Sequence, residues 1–112
     1  MADPAAVPPQ VGRILAYRDA VDMRKSFDGL LALVRNVFDE DALSGTLFVF
    51  FNRRGNYLKG VYWDRTGFCL FAKRLERGRF VMPGAGLTRE LDAKSFRLIL
   101  DGIVLGARRQ MA

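Results

Sequence analysis

The stretch that decides the fold is Thr46 to Met82, TLFVFF-NRRG-NYLKGVYW-DRTG-FCLFAKRLE-RG-RFVM. Four runs rich in Val, Phe, Tyr, Trp and Leu are separated by short turns carrying Gly and a charge. Apolar β-formers punctuated in this way predict an antiparallel meander of four strands. Leu47 to Phe51 does not alternate with polar residues, as expected of a strand covered on both faces. The later runs mix Lys59, Lys73 and Arg74 with aromatics, which predicts a basic and partly wet sheet face.

The same stretch carries the charge. Between residues 53 and 79 stand Arg53, Arg54, Lys59, Arg65, Lys73, Arg74, Arg77 and Arg79 against only Asp64 and Glu76. That excess equals the net charge of the whole chain, +6, so the remainder is neutral. A pI near 10.1 from a segregated source points to a polyanionic partner: nucleic acid, an anionic membrane surface or an acidic protein. The bland alternative is ordinary solubility charge, which clustering disfavours.

Upstream, residues 1–10 hold three of the four prolines and read as a flexible lead-in. Val11 to Tyr17 reads as a first strand. From Asp22 the sequence DMRKSFDGLLALVRNVF places Phe27, Leu30, Leu31, Val34 and Phe38 on one helical face, with Asp22 as its expected N-cap. Downstream, Leu87 to Leu91 is open between strand and loop. A second helix is expected over AKSFRLILD, capped by Asp92 and stopped by Gly102. The fold class is therefore α+β: a curved antiparallel β-meander with an N-terminal strand and two packing helices, the helices on one sheet face. Residues 11–105 form one domain and 106–112 a basic tail.

Several chemistries are excluded. The chain has no histidine and one cysteine, Cys69, so it can build neither an internal disulfide, nor a thiolate or imidazole zinc site within one chain, nor a hydrolase with a His base. No apolar run approaches the ~20 residues that span a bilayer. A soluble cytoplasmic protein is expected, without cofactor, metal or membrane partner. Asp22, Asp28, Asp64 and Glu76 make a conceivable acidic set for metal-assisted phosphoryl transfer, but each has an ordinary turn, helix or ion-pair role. Cys69, between Phe68 and Leu70, reads as core.

The candidate binding residues follow from the charge. Arg53, Arg54, Lys59, Lys73, Arg74, Arg77 and Arg79 are the candidates for DNA phosphate contacts, since guanidinium forks suit phosphate oxygens. Tyr57, Tyr62 and Trp63 lie among them and are candidates for base stacking. The alternative is that these rings are core. Arg24 and Lys25, at the start of the first helix, oppose its dipole unless an anion sits there. The alternative is pairing with Asp22 and Asp28.

Three blocks, DMRKSFDGL at 22–30, SGTLFVFFNRRGNYLK at 44–59 and WDRTGFCLFAKRLERGRF at 63–80, resemble the TnpB accessory protein of the insertion-sequence "sixty-six" family, the product of the element's second open reading frame. LDAKSFRLILDGI at 91–103 extends the resemblance over about residues 11–103. It implies an accessory role in transposition beside a separate acidic-triad transposase. The charge then implies one of two partners. Either DNA, alone or with the transposase, is held by the basic hairpins, or the chain is an adaptor docked on an acidic transposase surface without touching DNA. No catalytic residues are carried over.

Overall fold

The computed structural model describes residues 11–102. It is an α+β fold around one open five-stranded sheet in the order β4-β3-β2-β1-β5. The strands are β1 (Ile14–Tyr17), β2 (Leu47–Phe51), β3 (Tyr57–Asp64), β4 (Gly67–Arg74) and β5 (Thr88–Leu91). The helices are α1 (Phe27–Leu33), continued by a π-helical turn over Val34–Phe38, and α2 (Ala93–Leu100).

β1 and β2 run parallel, with Ile14 beside Leu47. Parallel neighbours need a crossover, and α1 with its π turn supplies it. All other pairings are antiparallel. The segment left open between strand and loop is strand β5, which pairs Leu91 with Ile14 and closes the far side of β1.

β2 is buried along its whole length because both of its faces are covered. Its odd residues, Leu47, Val49 and Phe51, join Phe96, Ile99 and Leu100 of α2 in one core. Its even residues, Phe48 and Phe50, join Leu30 and Val34 of the α1 segment in the other. This corrects the expectation that the helices share one face. They lie on opposite faces, because a strand with no polar alternation must be covered twice.

Three further expectations change. The meander has three strands: the fourth run, RFVM at 79–82, is an irregular strap whose Phe80 and Met82 fill the α2-side core. The first helix begins at Phe27 rather than beside Asp22, with Ser26 at the N-cap position. Asp22 is spent locally: its carboxylate accepts from the Arg24 backbone N–H at 2.9 Å and from the Arg24 guanidinium at 2.7 Å. The second helix is as expected, with Asp92 accepting from the Ser95 N–H at 2.7 Å. Residues 1–10 and the tail 106–112 lie outside the described residues.

Gly60 marks the closest approach within the meander. A Cβ there would stand 2.5 Å from Phe71 Cζ, so the glycine lets that ring lie across β3 into the α2-side core.

Candidate nucleic-acid interface

The turn between β2 and β3 is built by Asn52. Its Oδ1 accepts from the backbone N–H of Asn56 and of Tyr57, both at 3.0 Å, and its Nδ2 donates to Asn56 Oδ1 at 2.7 Å. Gly55 takes φ +72°, a conformation costly for an L side chain. With the turn held by Asn52, Arg53 and Arg54 are free to point outward, and both are exposed.

The strap after β4 is pinned to this turn at two points. Leu75 N–H donates to Asn56 O at 2.8 Å, and Phe80 N–H donates to Gly55 O at 2.7 Å. Between the pins, Glu76, Arg77, Gly78 and Arg79 form an exposed arch. Arg79 Cβ lies 3.6 Å from where a Cβ on Gly55 would stand, so the glycine also makes room for the arch. Arg54, Arg77 and Arg79 line one concavity of about 240 Å³, shared with Asn56, Leu75, Gly78 and a single carboxylate, Glu76. Arg53 lines a smaller concavity of about 160 Å³ on the Phe51–Phe80 side, together with Arg18. Arginines some 25 positions apart in sequence thus meet at one end of the sheet.

The sheet cations divide between faces. Cross-strand partners share a face. Tyr57 is opposite Arg74 and Lys59 opposite Ala72, on the α1 side; Leu58 is opposite Lys73, on the α2 side. Arg74 and Lys59 flank the half-buried Tyr57 ring at 5.8 and 6.0 Å, within cation–π range. Lys59 Nζ also donates to Lys25 O at 2.8 Å. Lys73 points away from this group, since neighbours on a strand face opposite ways. Among the described residues, no ion pair engages Arg53, Arg54, Lys59, Lys73, Arg74, Arg77 or Arg79.

The aromatic candidates separate in the same way. Tyr57 belongs to the basic end. Tyr62 is 4% exposed in the α2-side core, and burial beside Cys69 pushes its phenol up to about 12, so its ring is not presented for stacking. Trp63 packs edge-on against Phe68, centroids 5.0 Å apart. It is six residues from Tyr57 along β3, roughly 20 Å. Arg24 is held by Asp22, which its guanidinium draws down to about 2, while Lys25 lies along Gly29.

Sequence reasoning did not single out Arg18, whose guanidinium donates to the carbonyls of Met82, Pro83, Gly84 and Gly86 at 2.7–3.2 Å. No local pattern signals such a role, because the acceptors lie more than 60 residues away. Among the described residues no group of three or more Asp, Glu, Cys or His side chains can hold a metal ion. No described helix is long and apolar enough to cross a membrane.

These features define a small α+β protein with one strongly basic end whose arginines engage no ion pair among the described residues. The family described as "IS66 Orf2 like protein" matches residues 12–110, and the chain belongs to that family. The chain is 50% identical over 83 residues to the uncharacterized protein y4hO of Sinorhizobium fredii (strain NBRC 101917 / NGR234), covering 73% of this chain and 72% of that one. It is 39% identical over 71 residues to the uncharacterized protein y4jC of the same strain, covering 63% and 61% respectively. No solved structure matches. Membership places the chain among accessory products of insertion-sequence elements, consistent with a role in transposition.

Proposed function

We propose that the protein is a non-catalytic accessory chain of transposition that holds the element's DNA, alone or with the transposase, through the basic end of its sheet. The observation that carries this reading is the convergence of Arg54, Arg77 and Arg79 on one concavity with Arg53 beside it at the turn, all exposed and engaged in no ion pair among the described residues. An ensemble of unpaired guanidinium groups on a pinned backbone is costly to assemble unless a polyanion neutralises it. Phosphate oxygens bind the arginine forks, Arg74 and Lys59 extend the track along the α1 face, and Tyr57 between them offers a ring on which an unpaired base stacks. Contacts of this kind position the nucleic acid without reading its sequence.

The test is a fluorescence-anisotropy titration of the protein against duplex and single-stranded DNA over a range of salt. Each phosphate contact adds about 0.9 to the slope of log affinity against log salt on duplex DNA. Replacing Arg53, Arg54, Arg77 and Arg79 together by Ala is expected to flatten the slope by about 3–4 with the fold intact. An unchanged slope removes the site. A wild-type protein with no DNA affinity that captures the transposase chain favours the adaptor reading instead.

A further inference from the structure

The two edges of the sheet are finished differently. β5, on one side, is four residues long, with Thr88, Arg89 and Glu90 exposed and Glu90 tied to Arg13 at 3.0 Å. Short, charged strands are how sheets guard an edge against pairing. β4, on the other side, has eight residues, GFCLFAKR, with no proline and with charge only at its C-terminal end. Among the described residues, β3 is the one element packed extensively against it.

The register shows which backbone groups β4 leaves free. Asn52 N–H donates to Tyr57 O, so the odd residues of β3 bond to β2 and its even residues to β4. Leu58, Gly60, Tyr62 and Asp64 therefore bond to Lys73, Phe71, Cys69 and Gly67. Phe68, Leu70 and Ala72 turn their N–H and C=O groups outward. No described backbone group takes them up. Their side chains continue the α1-side core, where Phe68 and Leu70 are only partly buried. A second strand laid here would meet bonding groups and apolar side chains together.

We propose that this edge is a docking surface for a second copy of the chain, pairing β4 with β4 antiparallel about a two-fold axis at Leu70. That register forms three hydrogen-bonded pairs: Leu70 with Leu70, Ala72 with Phe68, and Phe68 with Ala72. It sets Phe71 beside Cys69 on the other face, Lys73 opposite Gly67 and Arg74 opposite Thr66. No like charges face each other, so the register escapes the penalty that such pairs carry. The two Arg74 residues then lie eight strand positions apart, about 27 Å. At physiological salt the screening length is ~8 Å, so the two Arg74 residues do not oppose the pairing, and Arg65, which this register brings near Arg74 of the other copy, has Asp64 at 3.9 Å. The result is a ten-stranded sheet presenting two basic ends, independent of which polyanion they hold.

Light scattering behind size exclusion on the full chain tests the proposal without any variant. The expected mass is twice 12.6 kDa at tens of micromolar or above. A mass of 12.6 kDa at every concentration overturns the proposal. The register is tested by Leu70→Cys in a Cys69→Ser background. Hydrogen-bonded antiparallel partners have Cα atoms ~5.5 Å apart, within disulfide reach, so mild oxidation is expected to link the dimer. A folded variant that does not cross-link, or that links no better than Thr88→Cys on the opposite edge in the same background, contradicts it. Exchange of the Phe68, Leu70 and Ala72 amides is expected to slow as concentration rises. Protection that does not change with concentration means that something other than a second copy covers the edge.

Discussion

Two sets of arginines in this molecule have opposite fates. Around β1, Arg13 spans Glu40 and Glu90, both at 3.0 Å, and Arg18 gathers four carbonyls of the segment leading into β5. Around the β2–β3 turn, Arg53, Arg54, Arg77 and Arg79 engage no carboxylate among the described residues. The first set holds chain segments together; the second is held out by them. The difference separates charge that folds the protein from charge left over for a partner, which net charge alone cannot do.

The sharpest way to break the comparison is Arg18→Ala. It removes the donor to Met82, Pro83, Gly84 and Gly86, and charged donors contribute about 1.5–3 kcal/mol to a buried bond but less where carbonyls regain water. A loss of about 2–4 kcal/mol is expected in denaturant unfolding, with DNA affinity per folded molecule unchanged. Next is Gly60→Ala, which forces the Phe71 ring out of place and is expected to cost about 1–3 kcal/mol by the same measurement. Because Gly60 lies beneath the hairpin and not at its tip, this variant separates loss of fold from loss of the basic end.

Smaller still is the effect on stability of replacing Arg53, Arg54, Arg77 and Arg79 by Ala. Surface residues without partners change stability by at most about 0.5 kcal/mol each, and relief of mutual repulsion works in the stabilising direction. A melting temperature that fell steeply would mean these arginines belong to the first set. The least effect is expected from acid. Arg24 and its backbone N–H hold the Asp22 carboxyl down at about 2. A carboxylate with a lowered pKa contributes stability above its ordinary value near 3.8, lost as pH falls toward 2. The pair is exposed, so a small decline in that window is expected for the wild type and a smaller one in Asp22→Asn, where the Asp92 cap, whose carboxyl the Ser95 bond also holds down, still contributes.

Much of this organisation was legible in the sequence, and the failures have physical causes. The unbroken apolar run Leu47–Phe51 announces a doubly covered strand, but nothing local in it says that one helix lies on each side, and the expectation of a shared face fails there. Asp92 reads correctly as a cap: its carboxylate accepts from the Ser95 N–H even though Lys94 stands two residues on. Asp22 looks identical in type, yet Arg24 two residues on captures it and the helix starts later. The run 79–82 has strand composition, but Gly55 and Asn56 pin the strap to the neighbouring turn, and Phe80 drops into the core instead of pairing. Lys73 and Arg74 carry the same charge side by side, and period-two alternation alone sends them to opposite faces. The meeting of residues 53–54 with 77–79 depends on backbone bonds across the hairpin, which no local pattern specifies.

The most direct measurement follows the arginine side chains themselves. Nε–Hε resonances of the folded protein, recorded as short duplex or single-stranded DNA is added at low salt, report each guanidinium separately. The account predicts the largest shifts at Arg54, Arg77 and Arg79 and a shift at Arg53, with Arg13 unmoved and Arg18, which lines the Arg53 concavity, moving less than Arg53. Shifts at Arg13, or at Arg18 alone, with the turn and arch arginines silent would contradict it.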